Sequence, residues 1–443
     1  MRPHLDTVAA DWHLELSRQR AAANWLVKGS AGGPGQTAQS MCCGYMDAAY
    51  EDPHICPTSA AGGYDGIELT SHIGPFSGMS YYSDLSLRVV GSMSAMPFIE
   101  YADFAGDDAY KGSTAYDFVK AVGAFLLSYA TPNSTDGLTH LLNTCAQEIC
   151  GGGPAREDDA HHDLAFARTV LAALLRWSEA LGRDAALRPR WAALRDALPP
   201  YPAGVAADGA GVWLEAADTQ VFWLSNANGY PIVYTAALHP ASDVSLSSPA
   251  ADVARGCATV LAIANVSHWR PLNGLCMAWP PAARCAGRER AAAVFDGWEA
   301  ALAAVMNHNF YPDLDGGGIE QAGATEAVNS ALLQSQEGFI RLFAMVPLGE
   351  VAAFSTLRAR GGFLVSAAWA GGVAAPVAIA SDATVVRNCS FLSPWWPESA
   401  APPRVADAAT NATVPSWPDV GAAVPGVFAF TAPPGAAFLL WPS

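Results

Sequence analysis

The hydrophobic period of this chain changes once, near Leu348, and that change limits what the chain can build. Downstream of it, Phe363, Val365, Ala367 and Trp369 alternate with period two, the mark of a strand with one buried face. Gly371-Gly372 then reads as a hairpin turn and residues 375–386 as further extended chain. Val427-Phe428-Ala429-Phe430 and Phe438-Leu439-Leu440-Trp441 read as closing strands. The Pro-rich piece over 393–424 reads as a long outer connection. Residues 348–443 are therefore expected to form a small C-terminal antiparallel β domain.

Upstream, apolar residues recur near a period of 3.6, and helices are expected over 85–104, 115–130, 159–181, 188–198, 251–263, 288–307 and 324–345. Ser113 or Thr114 is placed to cap the second of these. Strands do not alternate with the helices, as a TIM barrel would require. The reading is thus mainly α over 82–347, an (α/α)6-type six-hairpin barrel, whole or incomplete, with loop excursions at alternate connections. Residues 201–249 read as loops and short strands on its rim. Residues 1–81 read as an irregular N-terminal region, with G-S-A-G-G-P-G-Q-T and T-S-A-A-G-G-Y-D-G as long surface stretches.

Where the two periods meet, the chain reads D-G-G-G-I-E-Q-A-G-A-T-E-A-V-N-S-A-L-L-Q-S-Q-E-G-F-I-R-L-F-A-M-V-P from Asp315, followed shortly by L-R-A-R-G-G-F ending at Phe363. Gly316, Gly317 and Gly318 let the backbone approach closely whatever sits above it, and Glu320 follows at the start of a helix. From Gly323 to Phe363 this stretch resembles the end of the catalytic barrel of the family 95 glycoside hydrolases, the inverting α-L-fucosidases, with Gln336 where that family usually has His. Weaker resemblance reaches back to about Tyr82, where Y-A-D-F-A-G-D-D-A-Y is similar to the family's helix pair around a Y-T-G-D turn. The resemblance implies a divergent, shortened relative lacking the family's N-terminal β domain.

Composition narrows the partners. With 24 basic against 41 acidic residues the net charge is -17, and the lysines are Lys28, Lys111 and Lys120, so nucleic acid is disfavoured and a neutral or cationic ligand fits better. At 51% hydrophobic and 15% charged residues, the 443-residue chain can bury a large core. It has no uninterrupted apolar run of the roughly 18 residues a membrane span needs. Charges occupy the first 30 residues, where an export signal needs an apolar core. Asn133-Ser-Thr, Asn265-Val-Ser, Asn388-Cys-Ser and Asn411-Ala-Thr are acceptor sequons for N-glycosylation. The nine cysteines show no zinc spacing, and Cys145 and Cys150 are either a local disulfide or two buried thiols. A secreted or lysosome/vacuole-like location is expected, with the export signal outside this gene product.

Inverting glycoside hydrolysis needs one protonated carboxyl and one base, roughly 6.5–9.5 Å apart. The resemblance carries the acid role onto Glu148 in N-T-C-A-Q-E-I-C, where apolar flanks would raise its pKa; the alternative is a buried structural carboxylate. The family's base Asp aligns with Ile319. Either Glu320 replaces it after a one-residue shift, or Asp315 does so across the glycines, or the base is lost; Glu320 also has a plain role at the helix dipole. The family's upstream asparagine pair has no counterpart, since Asn24 is the only asparagine before Asn133, and its sugar-binding histidines become Pro231 and Tyr234. Trp223, Asn226, Asn228, Tyr230, Tyr234, His239, Trp269 and Asn273 are the candidate sugar contacts, with Trp213 and Trp279 as further rim aromatics; each aromatic has core packing as its alternative. His161-His162-Asp163 reads as a helix start and not as a metal cluster. The expected function is hydrolysis of α-L-fucosides or related glycans, with an oligosaccharide or polysaccharide as partner and without metal, organic cofactor, nucleic acid or membrane. The alternative is a catalytically silent relative that binds a glycan or serves as a scaffold.

Overall fold

A computed structural model describes residues 73–74, 78–79, 89–144, 157–217, 231–271, 275–306, 322–397, 399, 401–422 and 424–443. It is mixed, 42% helical and 21% strand, and no six-hairpin barrel is present among the described residues. The expectation of a mainly α barrel with a small β tail is therefore corrected. The chain divides into two compact units, one holding 1–99, 109–202 and 215–219 and the other 100–108, 203–214 and 220–443.

In the first unit, helix α1 (Val89–Ala105) contributes its first two-thirds, followed by α2 (Tyr116–Tyr129), a short hairpin of β1 (Thr131–Pro132) and β2 (Thr139–His140), α3 (His161–Ala180) and α4 (Arg188–Ala197). The apolar stripe of α3 packs as its period requires: Leu164, Val170, Leu171, Leu174 and Trp177 are all buried. Helix α2 meets it at Gly123, where a Cβ would come within 2.3 Å of Leu174 Cδ1, so a larger residue there would make the Leu174 side chain shift. The expected cap at Ser113 or Thr114 is not made. Lys111–Ala115 is instead a π-helical turn running unbroken into α2, which absorbs the extra residue inside the helix. Ser113 Oγ and Thr114 Oγ1 lie 3.3 Å apart on its exposed side.

The second unit carries the hairpin of β3 (Ala203–Val205) and β4 (Gly211–Trp213), then α5 (Ala250–Ser267), α6 (Trp279–Cys285), α7 (Gly287–Val305) and α8 (Ala322–Leu332). Helix α6 places Pro280 and Pro281 in its first turn, where missing N–H groups cost nothing. Helix α8 stops at Leu332, well short of residue 345. The Gln334 side chain donates to the carbonyls of Ser330 and Ala283, both at 2.9 Å, and Gly338 supplies a φ of +85° for the reversal. The chain doubles back as β5 (Leu333–Gln334) against β6 (Arg341–Leu342).

Beyond it come β7 (Ala352–Ala359), β8 (Phe363–Ala370), β9 (Val373–Ala374), β10 (Val377–Ser381), β11 (Arg387–Leu392), β12 (Arg404–Asp407), β13 (Thr413–Val414), β14 (Trp417–Pro418), β15 (Val427–Ala432) and β16 (Ala437–Trp441). Seven of them form one antiparallel sheet in the order β9-β8-β10-β16-β12-β13 with β7 also on β8, and three form a second in the order β11-β15-β14. Phe363, Val365, Ala367 and Trp369 do face inward, and Gly371-Gly372 makes the turn with φ of +61° and +83°. The 393–424 piece is no plain connection, since β12 runs inside the sheet between β16 and β13. Phe343, Trp369, Phe391, Phe430 and Phe438 fill the core, the last pair edge to face at 4.8 Å.

The glycines of the G-A-T and R-A-R-G-G-F segments have steric reasons. A Cβ at Gly323 would fall 2.0 Å from Cys276 Cα, because α8 passes directly against the 275–277 turn. Gly361 and Gly362 hold φ of +91° and +81°, and a Cβ at Gly362 would meet Ala383 Cα at 2.9 Å. Cys285, at the end of α6, is bonded to Cys257 of α5, with Cα atoms 5.5 Å apart.

Two stability outcomes are expected. Gly323→Ala destabilises by about 3 kcal/mol or more through overpacking, whereas Gly211→Ala, where a Cβ meets nothing within 4 Å, stays within about 1 kcal/mol of wild type in urea titration. Removing the Cys257–Cys285 bridge, which spans 28 residues, costs roughly 3–4 kcal/mol by the chain-entropy relation, read as a lower Tm of the Cys257→Ala/Cys285→Ala variant.

Candidate functional site

Most of the residues nominated from sequence, namely Glu148, Glu320, Asp315, Trp223, Asn226, Asn228, Tyr230 and Asn273, lie outside the described residues, as do Cys145 and Cys150. Three nominated residues are described. Tyr234 is 0% exposed and sits in the interior of the second unit. Trp269 is half-buried; its carbonyl accepts the Trp279 indole N–H at 2.9 Å, and its ring stands edge-on to Trp298 at 6.4 Å. Trp279 in turn stacks on Trp298 at 5.0 Å, and Trp213 is buried, so Trp213 and Trp279 are core and not rim aromatics. His239 lies in the turn after the short helix Ile232–Thr235, with its Nδ1 buried and without a hydrogen-bond partner. Burial, and then the charge of Arg284, hold its pKa well below 6.5, so the ring is neutral.

That neighbour, Arg284, is the centre of a polar cluster within the second unit. Helix α6 is otherwise W-P-P-A-A-x-C, and it buries a single guanidinium. Arg284 Nη2 donates to Glu326 Oε1 of α8 at 3.1 Å, Nε reaches Ser330 Oγ at 3.5 Å, and Nη1 bonds Ser242 Oγ. Ser330 Oγ donates to the same Glu326 oxygen at 2.9 Å, one helical turn on. Glu326 is 41% exposed, so the cluster opens to solvent there. Glu100, near the end of α1, lies within electrostatic reach of it. Burial raises the carboxyl pKa of Glu100 above 4.5; the charges of Arg360 and Arg284 oppose this, and those of Glu326 and Asp103 add to it. Arg360 Nη1 lies 3.8 Å from Asp103 Oδ2.

The resemblance segment builds this cluster's supports. Ser335 Oγ accepts the Arg360 backbone N–H at 3.0 Å, and Gly361 N–H donates to the Asp103 carbonyl at 2.7 Å. Gln336 donates to Gln334 Oε1 at 2.9 Å. Glu337, 3% exposed in its side chain, pairs with Arg341 at 2.6 Å and accepts the Ser247 N–H at 2.9 Å, which makes it a structural carboxylate. Sequence reading passed over Glu100, Arg284 and Arg360. The available signal was a lone charge inside an apolar run, as in M-P-F-I-E-Y-A and W-P-P-A-A-R-C-A.

A second set of ionisable groups lies in the first unit. His140 points Nδ1 at Asp159 Oδ2, 2.6 Å away, and Nε2 at Asp136 Oδ2, 2.9 Å away. With a carboxylate at each nitrogen, the doubly protonated ring satisfies both contacts. These bonds raise its pKa above 6.5, Asp159 contributing most. Next to it, burial lowers His161 well below 6.5 and takes His162 down to about 4, so both rings are neutral. Among the described residues no group of three or more His, Cys, Asp or Glu is placed to hold a metal ion, and no helix is long and apolar enough to cross a membrane. Asp163 falls in the first turn of α3, where a carboxylate suits the helix dipole.

No protein-family model and no curated protein matches the chain.

Both raised pKa values give stability that fades as pH rises. For Glu100 the contribution is complete below 4.5 and is lost as pH climbs through its raised folded value; for His140 it is complete below 6.5 and lost above that by the same rule. Glu100→Gln should flatten the lower slope and His140→Gln the upper one in Tm measured from about pH 4 to about pH 9. A profile unchanged by either substitution would remove that group from the linkage.

Proposed function

We propose that the chain is a carbohydrate-active protein that hydrolyses O-glycosides, α-L-fucosides or related glycans, by a two-carboxylate inverting mechanism. The observation that carries this reading is the pair of unlike carboxyl environments around Arg284. Glu100 is pushed towards its protonated form by burial, while Glu326 is held by Arg284 and Ser330 and opens to solvent. A buried carboxyl near a solvent-exposed one can divide acid and base work with it. Glu100 would protonate the leaving oxygen and Glu326 would accept a proton from the attacking water. The resemblance of 323–363 to the family 95 glycoside hydrolases supports the same chemistry, and there Glu148 with Glu320 or Asp315 form the competing pair.

The guanidinium groups of Arg284 and Arg360 face the side chains of Glu326 and Asp103 at 3.1 and 3.8 Å, so no spare charge is offered to a uronate. A neutral glycan fits, in line with the acidic net charge of -17. The Cys257–Cys285 bridge supports action in a secretory or vacuolar compartment. One observation favours the silent, glycan-binding alternative: Tyr234, which stands where the resembled family has a sugar-binding histidine, is fully buried.

The test is turnover of aryl α-L-fucosides, α-L-galactosides and cell-wall oligosaccharides, with the anomer of the first-formed product read by NMR. Inverted product is expected, and Glu100→Gln and Glu326→Gln should each lower kcat roughly 100- to 10,000-fold. If Glu148→Gln and Glu320→Gln abolish turnover while those two variants retain it, the Arg284 cluster is structural and the competing pair does the work. Binding with no turnover on any substrate would establish the silent relative.

A further inference from the structure

The geometry points to Asn411 as an N-glycosylation site, and as the preferred one among the four sequons of the chain. Each of the other three has at least one of its two reacting partners engaged. Asn133 donates through Nδ2 to Asp136 at 3.2 Å and accepts the Thr135 N–H at 2.9 Å. In Asn265-Val-Ser the hydroxyl of Ser267 is buried in α5 and bonded to the Ile263 carbonyl at 2.8 Å. In Asn388-Cys-Ser the asparagine lies on β11 against Thr431, whose Oγ1 is 3.3 Å from its Oδ1, and Ser390 donates to Asp419 at 2.6 Å.

Asn411 differs on every count. It stands at the tip of the β12–β13 hairpin, exposed, with φ of +55°. Its side-chain amide and the hydroxyl of exposed Thr413 make no hydrogen bond among the described residues. The turn beneath is firm. Asp407 Oδ1 accepts the N–H groups of Ala409 and Thr410 at 3.1 and 2.8 Å and the Thr410 hydroxyl at 2.8 Å, while Asn411 N–H donates to the Asp407 carbonyl at 2.9 Å. A positive φ suits asparagine better than most residues, so the conformation that lifts this side chain clear costs little.

The co-reactant is an oligosaccharide carried on a lipid pyrophosphate. Asn411 Nδ2 bonds to the anomeric carbon, the bond from that carbon to the pyrophosphate oxygen breaks, the lipid pyrophosphate leaves with the bonding pair, and Nδ2 gives up one proton. The resulting glycan would stand beside β13, the outermost strand of its sheet, where unpaired backbone groups invite pairing with another chain. The Cys257–Cys285 bridge is independently suited to the oxidising compartment in which this transfer takes place.

The experiment sends the full chain through the secretory pathway of a eukaryotic host behind an appended leader. Glycan occupancy is then mapped by peptide-N-glycosidase release in heavy-oxygen water, which hydrolyses each glycosylated Asn to labelled Asp, and by peptide mass spectrometry. The Asn411 peptide should carry the label, as Asp formed from the glycosylated Asn, at the highest occupancy, and Asn411→Gln and Thr413→Ala should each abolish the same mobility shift. An unlabelled Asn411 peptide, a shift that survives both variants, or greater occupancy at Asn133, Asn265 or Asn388 would overturn the assignment.

Discussion

The turn at Arg360, Gly361 and Gly362 is the constraint from which the second unit is arranged. Its backbone donates to the Asp103 carbonyl at the end of α1 and accepts from Asp382 N–H at 2.7 Å, while Ser335 Oγ holds the N–H of Arg360. No side chain fits at Gly362, because the Ala383 backbone and the Ala105 carbonyl already occupy the space at 2.9 and 3.0 Å. The end of α1 is therefore pinned to the strands, and Glu100, one helical turn before Asp103, is carried into reach of Arg284 and Arg360. The cluster is a by-product of how tightly that turn docks.

Such a cluster is a poor source of stability. Desolvating ionisable groups costs about as much as their mutual attraction returns, and apolar side chains of similar volume often serve as well. The first unit solves a comparable problem differently. There His140 bridges Asp136 and Asp159 near the surface, and the deeper rings of His161 and His162 shed their charge altogether. The second unit instead keeps two guanidinium groups and several carboxyls together, with an opening at Glu326.

Local pattern was readable wherever one face of an element is buried. The inward set of β8, the turn at Gly371-Gly372 and the apolar stripe of α3 all follow from periodicity. Periodicity failed at α8, because Gln334 and Gly338 end the helix through a side-chain bond to Ala283, a residue 51 positions away, and no local signal announces it. It failed again at β12, whose pairing with β16 is non-local and whose four residues are too few to show a period. The architecture differs from the expected barrel for a related reason: the helices carry a period, while the short hairpins at 131–140, 203–213 and 333–342 are too brief to show how they pair. As for the candidate site, only the segment that supports it was legible. Glu100 and Arg284 were hidden because a single charge in an apolar helix carries no spacing from which to infer a partner.

The contact of Arg288 with the sheet has a consequence for how this protein comes apart. Arg288 opens α7, lies over the Trp369 ring at 4.3 Å and donates to the Phe343 carbonyl at 3.1 Å, and Gln334 reaches the carbonyl of Ala283 from the other direction. Helices before residue 306 are thus joined to the 333–343 stretch by hydrogen bonds and to β8 by the Arg288–Trp369 stacking. The C-terminal sheet meets the start of α7 through the Trp369 ring. A chain cut near Leu348 keeps the Arg288–Phe343 and Gln334–Ala283 bonds but strips Phe343 of its ring partners Phe354 and Trp369, leaving an open apolar face on the helical remnant.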